Sequence, residues 1–410
     1  MKKPKILTLT SSFPRWEGDY NGIFIYELAI RLKEKFQVFV LSPAFNNSNK
    51  VEYLDGIKLF KYKQFPIKGI ELADGNPIMS KLKKKKHFWL TVPFFLISQF
   101  VCLIKIIRRE EISIIHAHWI IPQGLIAVVY KKLINKKIKI VASIHGTDIN
   151  DFKGFLGKRL IKYVLNYIDE LTVVSNSFKN KIVKLGYGKK IFVFPTNIDT
   201  QLFNPGRKDE TLKERLGING EFILFVGSLV KNKGVHLLIE AMPKIIIAFP
   251  NAKLVVVGNG QLKQDLVKTS KKLGITNSVI FTGIVSNKQI PSYYATADLF
   301  VLPSFSEGLG GVITEALSCE TLVLASPLKA FKDRIIENKT GFYLKEITSE
   351  KISSKIIHIL KNKEKFKPIS ETGRTYIVNN FDWKNVGENY NKLFLNLLLS
   401  DKQLTLSKNL

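Results

Sequence analysis

The sequence predicts an α/β protein built from two doubly wound, Rossmann-like domains, and three observations carry that prediction. Short apolar runs of strand type alternate with amphipathic helical stretches along nearly all 410 residues, the pattern of parallel sheets covered by helices. Residues 298–326 read DLFVLPSFSEGLGGVITEALSCETLVLAS: a strand stopped by Pro303, a glycine-bearing loop, a helix over 312–318 and a second strand over 321–325. Residues 197–207 read NIDTQLFNPGR, polar with a Pro-Gly break, and mark a linker between the domains.

The bulk numbers agree. The length suffices for two full cores, and 45% hydrophobic residues indicate a globular chain. Cys102 and Cys319 are the only cysteines and lie far apart, so the expectation is no disulfide framework and a reducing, cytoplasmic compartment. The N-terminus enters a strand pattern without a small-residue cleavage site, so no signal peptide is expected. The net charge of +29 attracts lipid headgroups, lipid diphosphates or nucleic acid, and alone does not choose among them. The lysines are scattered and no aromatic-basic RNA motif or recognition-helix pattern occurs, so nucleic acid is not expected.

The loop in 298–326 lies at the carboxyl end of a strand, where open parallel sheets bind ligands. Gly308, Gly310 and Gly311 leave backbone N–H groups at a helix start bare to anionic oxygens. Glu307 stands in the loop and Glu315 follows in the helix. Two carboxylates flanking a phosphate-ready loop suit a ligand with phosphate in the middle and hydroxyls at both ends. A nucleotide sugar has that layout. The plainer reading is one solvated loop glutamate and one helix-surface glutamate.

In chain order, residues 6–10 are a first strand and 23–32 an amphipathic helix behind a loop holding Asp19, Asn21 and Gly22. Gly22 lets amides at that helix start meet a phosphate or an acceptor, or is an ordinary helix-start glycine. Residues 38–42 are a second strand, and 44–80 hold short strands and a mobile connection. Residues 81–107 open on Lys81 and a lysine run and end at Ile107 after an apolar, aromatic stretch. Three readings stand there: a helix wholly buried in the domain, a basic-aromatic patch on an anionic membrane surface, or a spanning helix. Pro93, Gln99 and Lys105 oppose the last.

Residues 112–115 are a buried strand running into His116-Ala117-His118-Trp119. The two histidines share a strand face, but no carboxylate or cysteine accompanies them, so no metal is expected. Residues 138–144 are a strand ending in His145-Gly146-Thr147-Asp148. His145 is there placed to donate to a leaving phosphate or a sugar hydroxyl, or is a capped loop histidine. Strands over 171–175 and 191–195 complete this half.

In the second half, residues 222–227 are a strand, followed by Ser228, Lys231, Lys233 and Gly234. Gly227 and Gly234 permit close approach, and Lys233 brings a cation to a diphosphate; the alternative is a solvated lysine. Strands follow over 253–257 and 279–282, then helices near 351–360, 371–379 and 383–399, with a frayed tail after Ser400.

Taken together these motifs resemble the retaining GT-B glycosyltransferases, in particular family four, the glycosyl transferases group 1, from residue 6 to about 399. Glu307 and Glu315 match the family's Glu-x7-Glu signature, which implies that Glu307 holds hydroxyls of the donor sugar and Glu315 the ribose. FVGSLVKNKGVHLLIEAM (225–242) resembles the donor-phosphate motif, and the backbone at Gly283, Ile284 and Val285 is implied beside the nucleobase. The full donor set implied is Gly227, Ser228, Lys231, Lys233, Gly283, Ile284, Val285, Glu307, Gly308, Leu309, Gly310, Gly311 and Glu315. FPRWEGDYNGIFIYELAIRL (13–32), HAHW (116–119) and HGTD (145–148) resemble the opposite side of the cleft, implying Gly22, His118 and Asp148 on the acceptor side. The catalytic residues implied are His145, Lys233 and Glu307.

The resemblance implies two domains facing across a cleft: residues 1–200 on the acceptor side, joined by a helix at 381–400 crossing back, and 208–380 binding the nucleotide sugar. The expected reaction moves a sugar from that donor to a glycan or polyprenyl-linked acceptor with retention, in polysaccharide or cell-envelope synthesis at the cytoplasmic membrane face. No Asp-x-Asp motif occurs, so neither metal nor cofactor is expected. Lys233, Lys231 and the amides of 308–311 carry the diphosphate charge instead. Three departures stand out: Ser228 where many members carry arginine, Glu320 where glycine is usual, and Pro327-Leu328-Lys329-Ala330 in place of Gly-Gly. They keep open a degenerate member that binds a glycan or lipid carrier without turnover. A sugar-nucleotide epimerase of the same architecture is the other alternative.

Overall fold

A computed structural model describes the chain except residues 1–2, 17–18, 20, 46–47, 66–69, 74–77, 147–148, 150–151, 153, 196, 308–309 and 407–410, and except the side chains of 80 and 400–406. Asp148, Gly308 and Leu309 therefore lie outside the described residues. The chain packs as two units, Met1–Pro195 with Val386–Leu410, and Thr196–Asn385.

The first unit runs β1 (Lys5–Leu9), α1 (Ile23–Leu32), β2 (Gln37–Pro43), β3 (Val51–Leu54), β4 (Ile57–Tyr62), α2 (Ile78–Lys84), α3 (Val92–Glu110), β5 (Ile114–His118), α4 (Leu125–Leu133), β6 (Lys139–Ile144), α5 (Phe155–Tyr167), β7 (Glu170–Val173), α6 (Asn176–Lys184) and β8 (Ile191–Val193). Its sheet order is β3-β4-β2-β1-β5-β6-β7-β8. All pairs are parallel except β3 with β4. Strands β1, β5 and β6 are almost wholly buried, as expected for strands covered on both faces. Between β3 and β4, Asp55 and Gly56 take φ of 47° and 75°. That is the two-residue Asp-Gly turn whose twist suits a hairpin.

The run 81–107 is not wholly buried. α3 lies against β2, β4 and α4, and Phe95, Leu103, Ile106 and Ile107 enter the core. Its other side faces outward. The segment Lys86–Glu110, 25 residues, is the one described helical stretch long and apolar enough to cross a membrane by length and composition. Pro93 sits in the first turn of α3, where its missing N–H costs nothing.

The second unit runs α7 (Glu210–Arg215), β9 (Phe222–Val226), α8 (Val235–Ala248), β10 (Lys253–Val257), α9 (Lys263–Lys272), β11 (Val279–Gly283), α10 (Ile290–Thr296), β12 (Leu299–Leu302), α11 (Gly311–Ser318), β13 (Leu322–Ala325), β14 (Phe342–Tyr343), α12 (Ser349–Lys361) and α13 (Lys363–Phe381). Its sheet is parallel, in the order β11-β10-β9-β12-β13-β14. The order reverses between β9 and β12, the switch point at which doubly wound sheets open a crevice.

The stretch 197–207, expected as a linker, packs onto this unit: Ile198 and Phe203 belong to its core, and the Ser318 hydroxyl donates to the Phe203 carbonyl at 2.6 Å. The last helix, α14 (Trp383–Leu406), continues past 399, the end expected from the sequence. From Val386 onward it belongs to the first unit. Tyr390 and Phe394 anchor it there: the Tyr390 hydroxyl lies 3.1 Å from Ser143 and 3.0 Å from Thr172. Phe394 packs against Phe36 and His116.

Candidate active site

In the second unit the switch point brings two loops together. The first follows β9 and holds Gly227, Ser228, Lys231 and Lys233; the second follows β12 and holds Ser304 through Glu307. Phe305 N donates to the Asn232 carbonyl at 2.8 Å, and the Asn232 amide reaches the Ser306 carbonyl at 3.0 Å. Gly234 is required by this closeness. Its φ is 68°, and a Cβ there would stand 2.0 Å from the Pro303 carbonyl oxygen.

Across the joint, the Lys233 ammonium pairs with the Glu307 carboxylate, and the Ser304 hydroxyl donates to the same oxygen at 2.9 Å. Both partners are half-buried. Ser228 and Lys231 are exposed. Gly310 takes φ 67° as the residue before α11, and a Cβ on it would stand 2.6 Å from the Phe331 ring. The segment 327–331 thus abuts the glycine loop through the fully buried Phe331. Gly311 opens the helix and is exposed, and a Cβ on it would meet nothing within 4 Å among the described residues; a helix N-terminus of this kind suits an anion.

Glu315 lies in the second turn of α11, where Oε2 accepts the Tyr294 hydroxyl at 2.7 Å. Burial raises its pKa, and the Tyr294 hydrogen bond works against that rise. Tyr294, on α10, escapes sequence reasoning because nothing local marks it. His236 escapes it too: it lies two residues past Gly234, stacks near Phe305 and carries a buried Nδ1 with no hydrogen-bond partner among the described residues. Gly283 takes φ 76°, and Ile284 projects into solvent beside half-buried Val285. Glu320 has φ 62° and closes the far end of α11, its N–H reaching the Leu317 carbonyl. A left-handed position explains why glycine is usual there. Its departure concerns helix capping.

In the first unit, Gly22 caps α1 with φ 71°, and a Cβ would stand 2.4 Å from the Ser12 carbonyl oxygen. His118 Nδ1 and His145 Nε2 are 2.9 Å apart, with rings stacked at 9°. His116 Nε2 meets the Ser143 hydroxyl at 2.7 Å. Phe24 and Trp119 pack on the His145 ring. Burial pushes His116 and His145 down to about 3, and His118 is also held well below the usual range, by burial and its histidine neighbours. All three are therefore neutral near pH 7. His145, expected to donate to a leaving phosphate or a sugar hydroxyl, has Nε2 engaged by His118 and Nδ1 buried with no partner among the described residues. Any hydrogen bond this ring makes is that of a neutral imidazole, not of an imidazolium.

Two parallel-sheet units with glycine-bearing loops at their switch points define the GT-B class, and solved structures match that fold. The Anabaena HepE protein, solved in complex with UDP, superposes with a TM-score of 0.68 at 18% identity, over 96% of this chain and 100% of its own. The chain belongs to family 4 of the glycosyltransferases: the family described as "Glycosyl transferases group 1" matches residues 208–376, and "Glycosyltransferase Family 4" matches 22–202. Among curated relatives, N-acetyl-alpha-D-glucosaminyl L-malate synthase of Bacillus anthracis is 27% identical over 307 residues, 73% of this chain and 78% of that protein. The putative teichuronic acid biosynthesis glycosyltransferase TuaC of Bacillus subtilis is 28% identical over 339 residues, 78% and 80% respectively. The protein is thus a glycosyltransferase with relatives in cell-envelope glycan synthesis.

Proposed function

We propose that this chain transfers a sugar from a nucleotide-sugar donor to a glycan or polyprenyl-linked acceptor, with retention of configuration, in polysaccharide or cell-envelope synthesis at the cytoplasmic membrane face. The observation that carries the reading is the joint of Lys233, Glu307 and the open start of α11 at one switch point, with Glu315 on the same helix. The neighbour solved with UDP and the relative named for teichuronic acid support it.

In this reading the diphosphate lies against the amides at Gly310 and Gly311, with Lys233 supplying positive charge as the bond from anomeric carbon to phosphate oxygen breaks. The acceptor hydroxyl attacks the face that the diphosphate leaves, and its proton passes to the departing phosphate oxygen. Glu307 orients the sugar hydroxyls, Glu315 takes the ribose, and exposed Ile284 with half-buried Val285 borders the base. His145 serves the site as a neutral imidazole. Gly22 and His118 belong to the acceptor side, His118 by fixing the His145 ring. Protein groups carry the leaving charge, so transfer proceeds without a divalent cation.

The test is calorimetric binding of UDP, GDP and ADP, with and without their common sugars, beside Glu315→Ala. One nucleotide should bind and be weakened by the substitution, and transfer should persist in EDTA. If none binds, the donor reading falls.

A further inference from the structure

We propose that the outer face of α3, with the turn before it, is a docking surface for an anionic phospholipid bilayer, on which the chain lies without crossing. Phe94, Ile97 and Val101 recur along α3 at helical intervals, and Trp89 and Leu90 stand one turn ahead in the 3-10 segment Lys86–Thr91. Leu90 is 75% exposed, Ile97 61%, Trp89 53%, Phe94 49% and Val101 40%. Single exposed apolar residues are ordinary, whereas a continuous stripe of them marks an interaction surface. The opposite face of the helix is held in the core. Insertion across a bilayer would tear Phe95, Leu103, Ile106 and Ile107 from that core and leave β2 and β4 facing lipid.

Charge selects the occupant. Lys84, Lys85 and Lys86 are exposed just before the stripe, and Lys105 and Arg108 continue the same side beyond Val101. Residues 81–109 contain no Asp or Glu. An apolar stripe bracketed by cations, with a tryptophan at its margin, suits the headgroup layer of a bilayer. A second copy of this chain would set these cations against their own kind. Anionic headgroups neutralise them.

The test is co-sedimentation of the full chain with vesicles of phosphatidylcholine, with or without phosphatidylglycerol. It needs no nucleotide, so its outcome is independent of the transferase reading. The chain should bind the phosphatidylglycerol vesicles at low salt, release at high salt, and show a blue shift in emission that Trp89→Phe removes. Two exposed-site triples, Leu90→Gln with Phe94→Gln and Ile97→Gln, and Lys84→Glu with Lys85→Glu and Lys86→Glu, should each lower vesicle affinity at least about tenfold at unchanged melting temperature. No binding to anionic vesicles, or binding that both triples leave unchanged, overturns the proposal. So does a dimer that the apolar triple dissociates while vesicle binding stays as it was.

Discussion

Lys233 and Glu307 neutralise each other, each on a loop that the sheet order, not the sequence, brings to the other. The pair sets up a competition. In the proposed donor reading, a diphosphate draws Lys233 toward itself and a donor sugar occupies the carboxylate that Lys233 leaves.

That competition makes Glu307 and Lys233 separable. Glu307→Gln frees the ammonium, so a nucleoside diphosphate without sugar should bind as well as before or better, while transfer falls by about 10²-fold. Lys233→Met should lose both. Titration calorimetry and a transfer assay read the two effects. Equal loss of diphosphate affinity in both variants would contradict the arrangement.

Tyr294→Phe removes only the hydroxyl that holds Glu315. A hydrogen bond to a charged group contributes about 1.5–3 kcal/mol, so nucleotide affinity should fall about tenfold or more at unchanged fold. The preference for a ribonucleotide over its 2′,3′-dideoxy form should shrink with it. A variant whose ribose preference is intact would show that Tyr294 merely fills the core beside Phe203 and Phe300.

Glu320→Gly relieves a left-handed backbone position at the end of α11. An L-residue there costs about 1–2 kcal/mol, partly offset by the chain entropy of glycine. The variant should be more stable by about 0.5–1 kcal/mol, with transfer unchanged, whereas Glu320→Ala should gain nothing. Urea unfolding decides between them.

The histidines of the first unit predict acid sensitivity. His116 and His145 titrate at about 3 when folded, below the unfolded value of 6.5. Between those values the unfolded chain binds the protons, so stability is full above pH 6.5 and is lost as pH falls toward 3. At pH 5 one such histidine costs about 2 kcal/mol. A melting temperature equal at pH 5 and pH 7.5 would speak against neutral burial of these rings.

The fold class was legible because alternation of apolar strands and amphipathic helices is a local property, written in runs of a few residues. The places of Glu307, Lys233 and the glycines beside strand ends, and of Glu315 in the helix that follows, are likewise local. Asp55-Gly56 is a hairpin signal within 44–80, where short strands are expected. The one long apolar run could not be resolved from its composition, since the same residues serve a buried helix, a spanning helix or a surface one.

By itself, then, the sequence determined the two parallel-sheet halves, their helix-start glycines and the carboxylates beside them. Only the tertiary structure decided which residues meet: Tyr294 on Glu315, His118 on His145, Tyr390 on Ser143 and Thr172, and which side of α3 faces water. Strand order sets those contacts, and strand order follows from how whole faces pack, which no short window of sequence contains.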